Sequence, residues 1–490
     1  MKNIDLFDAL DLINPNYIDE ARASKLKHNK NIKERACDGK LRTKCLSVVA
    51  AVLAMSILIV SLTILGPNSP HVSLALSDVQ YPDMTYKPTG DPDTDKYREQ
   101  YSKWNNDIEK QKEYFGSATA LTPFIKNSVG VFLADSEGEN VIYSPINVFM
   151  TLAIMAEMGG GNTRNQILGV LGCHTINNLR VQSNAIWNAN YRDDGVVKSI
   201  LASSVWLSNS WNYDTEVANV LATSYYTSVY SGKVGSLEYN KMYYNWLQSQ
   251  LGKIVNVDTN QSFTQKSAIS IASVLNYDFD WEFGFSNRRI QDGVFHSDNG
   301  DIKCTYMNKI ELYGGYYWGE NFTATSKRLK DSGSMYFILP NEGVSVNELV
   351  NDVEVLEFII SNGEWKNKDD IIVNLTIPQM EISSNMDLKD GLSKMGVMDC
   401  FTIGSSDFSG IVKNDKYANE LFVNKIDHSV SIAVDIEGVT GYACTQATTG
   451  TFTTPVESDI NFTVNRPFMF VITGADGSVL FVGVVNQPNK

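Results

Sequence analysis

The feature that most constrains the fold is an uninterrupted apolar run near the amino-terminal end of the chain. Residues Cys45–Leu65 carry no charged side chain, and as an α-helix they would extend about 31 Å, close to the thickness of a bilayer hydrocarbon core. Basic residues precede the run at Lys40, Arg42 and Lys44. The positive-inside rule then predicts a single-pass transmembrane helix, with residues 1–44 in the cytoplasm and everything after the helix outside the cell.

A cleaved signal peptide is the alternative interpretation of this run. The region before it, residues 1–44, is too long for an ordinary basic leader region, and the apolar stretch itself is longer than a signal-peptide core. The sequence therefore favours a retained membrane anchor.

The rest of the chain divides into two parts. Residues 66–117 begin as a Pro- and Asp-rich stretch and continue as a polar, helix-like one, which predicts an extracellular spacer. Residues 118–490 predict a mixed α+β domain. Helix-like patterns come first, at Phe124–Leu133 and Ile146–Met158, and β-rich runs follow. The chain ends in two apolar runs joined by Gly474–Gly477, which is typical of a β-hairpin.

Composition excludes several functional classes. The chain of 490 residues has a net charge of -15, and most of this negative charge lies after residue 65, which argues against nucleic-acid binding. The six cysteines and five histidines show no metal-ligand spacing, so we expect no metal site and no cofactor. The nucleophile motif GxSxG is absent as well.

One long uncharged stretch is unusual for a compact domain. Gly438–Val456 contains no charged residue and lies between two strand-like segments. Read as a strand, one of its faces carries only small, uncharged side chains, and the other is mostly polar. The first face consists of Val439, Gly441, Ala443, Thr445, Ala447 and Thr449. Such a loop could become a half-buried strand, and loops of this length are usually functional. The alternative is a flexible Thr- and Gly-rich linker.

Several short motifs, in this order, resemble the serpin family over residues 118–490. They are Asn140–Asn147, Gly161–Arg164, Gly252–Ile254, Leu275–Tyr277, Trp281–Phe285, Phe337–Gly343, Asp407–Ile411 and Asn465–Phe468. The resemblance implies the serpin fold, with three β-sheets, eight to nine helices and an exposed reactive-centre loop.

The resemblance also implies a function. Serpins are suicide inhibitors, in which a target protease cuts the loop and the freed segment inserts into the main sheet as a new strand. The chain would then not be an enzyme, and its partner would be a serine or cysteine protease outside the cell. A non-inhibitory serpin that acts as a binding or adhesive surface protein is the alternative.

The resemblance assigns roles to individual residues. The hinge of the loop would comprise Glu437, Gly438, Val439, Thr440, Gly441, Tyr442 and Ala443. The shutter and breach, where the sheet opens, would comprise Ser144, Asn147, Asn276, Trp281 and His428, with Asn276 and His428 forming a hydrogen-bonded pair. The hinge departs from the usual inhibitor pattern, since Val439 and Tyr442 stand where the family has Thr or Ser and Ala.

The scissile bond falls within a short window. Counting forward from Gly438 by the family spacing reaches Phe452, and counting back from Pro467 reaches Val456. The candidates are Phe452, Thr453, Thr454 and Val456. No Lys or Arg occurs between Gly438 and Asn465, so a trypsin-like target is not expected. Phe452 predicts a chymotrypsin- or subtilisin-like target, and Thr454 or Val456 would suit an elastase-like one.

Overall fold

The computed structural model describes residues 75–134, 138–251, 269–413, 420–423, 426–440 and 459–488. The predicted tail and transmembrane helix lie outside these ranges, as do the scissile window and the hinge residues Gly441, Tyr442 and Ala443. Within the described ranges, no helix combines the length and apolarity needed to cross a membrane. Residues 73–490 form one compact unit.

Ten α-helices occur in the described part of the chain, at least one more than the resemblance implied. They are α1 (Asp95–Lys112), α2 (Leu121–Leu133), α3 (Pro145–Met158), α4 (Gly161–Val170), α5 (Ile176–Asn190), α6 (Thr215–Ser224), α7 (Leu237–Leu251), α8 (Val346–Val350), α9 (Val353–Ile360) and α10 (Lys389–Lys394). The predicted helices at 124–133 and 146–158 correspond to α2 and α3.

Seventeen strands are described. They are β1 (Ala75–Ser77), β2 (Val141–Tyr143), β3 (Arg192–Asp193), β4 (Val197–Ser208), β5 (Thr227–Gly232), β6 (Ile269–Asp280), β7 (Ile290–Ser297), β8 (Gly300–Trp318), β9 (Phe322–Arg328), β10 (Ser334–Pro340), β11 (Lys368–Pro378), β12 (Met380–Asp387), β13 (Asp427–Val434), β14 (Gly438–Thr440), β15 (Asp459–Thr463), β16 (Phe468–Thr473) and β17 (Val479–Val485).

The strands form two hydrogen-bonded sheets. The first sheet has the order β1-β5-β4-β6-β14-β13-β12, with β3 paired to β4. The second has the order β15-β11-β8-β9-β10-β16-β17-β2, with β7 paired to β8. The resemblance implied three sheets. Strand β8 is 19 residues long and pairs with β7, β11 and β9 in turn, so it joins two of those three into one continuous set.

The core lies around α3 and the carboxy-terminal hairpin. All 14 residues of α3 are buried, and Pro145 occupies its first turn, where the missing N–H costs nothing. Every residue of β16 and β17 is buried as well. The predicted turn between them is present: the Gly474 N–H donates to the Ser478 carbonyl at 2.9 Å, and Gly477 has φ of 81°, which favours glycine.

Part of the region predicted as a spacer packs against the body. β1 hydrogen-bonds to the edge strand β5, and α1, the polar helix that the sequence indicated, buries Trp104 and Gln111. The aromatic and amide side chains of this segment contact the rest of the domain. The Pro- and Asp-rich composition of the segment did not predict these contacts.

Candidate functional site at the head of the first sheet

A tight turn reverses the chain where the first sheet meets the uncharged loop. The Asp435 carboxylate accepts from the N–H of Glu437 at 2.8 Å and from the N–H of Gly438 at 3.1 Å. The Asp435 N–H donates to the Gly438 carbonyl at 3.1 Å. Aspartate favours such turns because its short side chain reaches the backbone two residues ahead. The turn therefore directs the start of the loop back into the sheet as β14.

Strand β14 lies between β6 and β13 and is antiparallel to both. Val439 is opposite Phe279 of β6 and Val434 of β13. Because both neighbours are antiparallel to β14, they run in the same direction as each other. Within the described residues, no hydrogen-bonded pairing between β6 and β13 themselves is present below β14. The first residues of the loop thus already occupy a strand position at the head of the sheet.

The two central hinge residues fit this position closely. Val439 is 0% exposed and belongs to the main hydrophobic core. A Cβ atom at Gly438 would collide with the backbone carbonyl oxygen of Phe279, so only glycine allows the backbone to approach β6 this closely. The hinge is therefore held by a buried side chain and by direct backbone contact.

Trp281 donates hydrogen bonds to the turn from both its side chain and its backbone. Its side chain is 3% exposed, and its indole N–H donates to the Asp435 carbonyl at 2.8 Å. Its backbone N–H donates to the Glu437 carbonyl at 2.8 Å, and the Phe285 N–H donates to the Ile436 carbonyl at 3.0 Å. The three carbonyl groups of the turn are satisfied by one short segment, Trp281–Phe285.

His428 is the second residue of β13, and its side chain is buried in the core. It is 5% exposed, and its Nε2 accepts from the backbone N–H of Ser144 at 3.0 Å. The Ser144 hydroxyl donates to the Leu480 carbonyl at 2.7 Å. Burial lowers the pKa of His428 to about 4, so the ring is neutral and can accept this hydrogen bond. Asn147 is buried in the first turn of α3 beside Ser144.

Asn276 does not pair with His428, so that part of the prediction is wrong. Its side-chain amide donates to the Gln250 carbonyl, at the end of α7, at 2.6 Å. Successive residues of a strand point to opposite faces, and the neighbouring Tyr277 is the one that packs in the core, 4.5 Å from the Phe481 ring. The Tyr277 hydroxyl donates to the Ser431 carbonyl of β13 at 3.0 Å. Tyr277 is therefore the residue that links β6 to β13.

The sequence profile of the family described as "Serpin (serine protease inhibitor)" matches residues 124–488. The chain belongs to the serpin family. Members of this family are in general protease inhibitors and not proteases.

Individual relatives are distant but cover the whole domain. Serpin-ZX from Arabidopsis thaliana is 25% identical over 74% of this chain and 97% of its own length. The human leukocyte elastase inhibitor is 24% identical over the same shares. The native structure of the thermophilic serpin tengpin superimposes with a TM-score of 0.65 at 22% identity, over 77% of this serpin and 94% of that chain.

Four carboxylates surround the inserted hinge of this serpin. Burial, then repulsion from Asp280 and Asp435, raises the pKa of Asp278 to about 6, and Lys198 opposes the rise. Burial also raises the pKa of Asp280, which lies 3.8 Å from Lys330 and also faces Glu437. Within the described ranges, no group of three or more His, Cys, Asp or Glu side chains is arranged to hold a metal ion.

Proposed function

We propose that this serpin is a suicide inhibitor that traps a serine or cysteine protease by inserting its cut loop between β6 and β13. The observation that supports this proposal is the position of β14, which pairs with β6 on one edge and β13 on the other and would set the register of an inserted loop. The chain itself needs no catalytic group, because the nucleophile belongs to the target.

The register of β14 predicts which residues would pair in the inserted state. Thr440 is opposite Asp278 and Ala433, and continuation of the strand sets the later pairs. Gly441 would be opposite Tyr277 and Ile432, Ala443 opposite Leu275 and Val430, and Thr445 opposite Ser273 and His428. Tyr277 and Ile432 point into the core, so the small, uncharged face of the loop is the one that would be buried. The polar face, with Tyr442, would lie on the opposite side.

The facing edges of β6 and β13 supply a driving force. The two strands run parallel to each other, and within the described residues no ladder of hydrogen bonds joins them below β14. A strand inserted between them is antiparallel to both and adds hydrogen bonds on both of its edges, each of which contributes about 1 kcal/mol net. Insertion of the loop is therefore favourable once it is free to move.

Cleavage supplies that freedom. The target's nucleophile attacks the scissile carbonyl, an acyl-enzyme bond forms, and the peptide C–N bond breaks. The new amino terminus remains attached to β15, and the acylated part of the loop remains attached to β14. Insertion of the latter would carry the bound protease along the sheet before water can release it.

Substitution of Val439 tests the insertion. Val439→Arg should convert the inhibitor into a substrate, because an arginine would have to enter the fully buried face opposite Phe279 and Val434, whereas the Asp278 and Asp280 side chains lie on the other face of the strand. Incubation with a protease that cuts the loop should yield cleaved protein and at least about tenfold less covalent complex than wild type.

Val439→Thr, which is similar in size and uncharged, is the matched control and should still form the complex. Cleavage of the wild-type loop should also raise the melting temperature markedly. An unchanged yield of complex for Val439→Arg, together with no rise in melting temperature, would exclude the proposed mechanism in favour of a non-inhibitory binding protein.

We also propose that the serpin domain is displayed outside the cell by a membrane anchor at residues 45–65. The proposal is supported by the apolar sequence and by its basic flank. The absence of Lys and Arg from the loop favours chymotrypsin-, subtilisin- or elastase-like targets.

A further inference from the structure

The segment that precedes the serpin domain binds the first sheet at its edge. We call residues 75–112 the clasp. Its first strand, β1, pairs with β5 at Tyr230 and Val229. The Val79 N–H then donates to the Ser228 hydroxyl at 3.1 Å, and that hydroxyl donates to the Asp78 carboxylate at 2.9 Å. The clasp thus extends the group of strands β5-β4-β6, which lies on one side of the insertion site.

The clasp then crosses to the end of α5. The Tyr81 ring stacks on Trp187 with centroids 5.5 Å apart. The Gln111 side-chain amide donates to the carbonyls of Ala189 and Tyr191 at 3.1 and 2.7 Å. The terminal carbonyls of a helix have no partner within the helix, so Gln111 acts as a side-chain cap for α5.

Further polar contacts of the clasp lie beside the head of the sheet. The Lys87 N–H donates to the Asp194 carbonyl at 2.9 Å, and its ammonium group is 2.7 Å from the Asp331 carboxylate. The Trp104 indole N–H donates to the Asp194 carboxylate at 2.7 Å. Asp194 is fully buried and forms an ion pair with Arg192 at 2.8 Å. Lys87 therefore bonds both to the β3–β4 connection of the first sheet and to the second sheet.

The turn that contains Asp331 also contacts the insertion site. This turn joins β9 to β10, and its Lys330 N–H donates to the Asp280 carbonyl at 2.8 Å. Leu329 forms a β-bridge with Trp281, the residue that fastens the hinge. The turn is therefore bonded directly to the end of β6, and Lys87 of the clasp and Arg192 of β3 both bond to its Asp331, next to where insertion starts.

We propose that the clasp is a latch that slows insertion of the uncut loop by holding the group β5-β4-β6 against the second sheet. The inference rests on the proposed function, since insertion requires β6 to move away from β13. Such a movement shifts Asp194 relative to Asp331, which strains the Lys87 contacts to both residues and the hydrogen bond from the Arg192 guanidinium to the Asp331 carbonyl.

Uncut protein tests the latch. Lys87→Met and Trp104→Phe each retain apolar packing and remove the polar contact. We expect each to raise, by at least about tenfold, the rate at which uncut protein loses inhibitory activity during incubation below its melting temperature. The lost activity should be matched by a fraction with the higher melting temperature of the loop-inserted form.

Two comparisons make the result specific. Lys103 lies on the exposed face of α1, where its ammonium group is 2.8 Å from the Glu99 carboxylate. The variant Lys103→Ala is the control, and it should convert at the wild-type rate. Asp331→Asn should accelerate conversion as Lys87→Met does, and the two changes together should add little, because they remove one interaction.

The outcomes separate the two proposals. The latch proposal would be overturned if the variants melt at a lower temperature but convert at the wild-type rate. This conclusion holds when cleavage of the loop raises the melting temperature of the wild-type protein. A wild-type protein that gains no stability on loop cleavage would instead overturn the proposed function. A variant that does not fold is replaced in the test by Asp331→Asn, which changes only the outer end of the ion pair.

Discussion

A single buried histidine of β13, His428, makes the shutter region sensitive to acid. The backbone N–H of Ser144, at the start of the buried helix α3, has the Nε2 atom of His428 as its acceptor. Protonation of the ring would replace this acceptor with a second donor and place a charge in the core. The ring is fully enclosed, which is why its pKa falls to about 4 from the ordinary value of 6.5.

The sign of the resulting pH dependence follows from this shift. In the unfolded chain His428 takes up a proton near pH 6.5, whereas in the folded protein it does so only near pH 4. Acid therefore favours the unfolded state, so stability should be complete above about pH 6.5 and should fall by on the order of 3 kcal/mol as the pH drops through 4. Denaturant unfolding of wild type and His428→Gln at pH 7 and at pH 4.5 checks this.

Glutamine keeps an acceptor for the Ser144 N–H but does not titrate, so the variant should lose much less stability between the two pH values. His174→Gln, at an exposed position, is the control and should behave as wild type. Equal losses for wild type and His428→Gln would assign the acid sensitivity to other groups.

The sequence located the shutter residues better than it located their partners. Ser144, Trp281 and His428 lie where the strands meet, but Asn276 faces α7 and Tyr277 takes the position in the core. A shift of one residue along a strand exchanges its two faces. A motif match at Leu275–Tyr277 does not by itself say which of these residues faces the core, so the prediction placed Asn276 there instead of Tyr277.

The hinge strand is the element whose chemistry the sequence predicted most fully. Alternation alone put Val439 on the face that can be buried, and the structure has it at 0% exposure. The sequence did not show that Gly438–Thr440 is already paired on both sides. That depends on Asp435 and Trp281, which lie more than 150 residues apart in the chain and meet only after folding.

The clasp was the harder element to predict for the same reason. The polar helix α1 was indicated by its own residues, whereas β1 is only three residues long and pairs with a strand about 150 positions later. Short edge strands carry almost no periodic signal. Their placement depends on tertiary contacts such as that of Trp104 with Asp194.

The loop itself sets the specificity, and Phe452 is its most informative residue. An aromatic side chain buries about 150–250 Å² in a deep apolar primary pocket. Phe452→Ala should therefore slow complex formation with a chymotrypsin-like protease by at least roughly tenfold, which corresponds to about 1.4 kcal/mol. Kinetics of complex formation, with mass spectrometry of the cut loop, give both the rate and the bond.

Thr453→Ala is the matched control, since it changes a neighbouring side chain and leaves the aromatic ring in place. Unchanged trapping by Phe452→Ala, with a new amino terminus that begins after Thr454 or Val456, would move the specificity to an elastase-like enzyme with a shallow pocket.

At the scale of the whole molecule, the motifs indicated the serpin family, whose profile matches residues 124–488, and the described residues have the predicted α+β composition. The order of the motifs was sufficient for this, because several short matches in the order of one family leave little room for chance. The membrane anchor depends on a different kind of signal, the sequence of residues 40–67 alone, and it needs a test of its own.

Protease treatment of intact cells tests the predicted orientation. Basic residues flank only the amino-terminal side of the apolar run, so residues 1–44 should stay inside the cell and the serpin domain should be released by a protease added outside. Detection of each part with its own antibody, beside a cytoplasmic marker that stays protected, distinguishes the possibilities. Replacement of Lys40, Arg42 and Lys44 by Asn should lower the released fraction, because it removes the charge difference that sets the orientation. Domain found in the medium without any protease, with an amino terminus after Leu65, would identify the run as a cleaved signal peptide, and domain protected until lysis would show that the orientation is reversed.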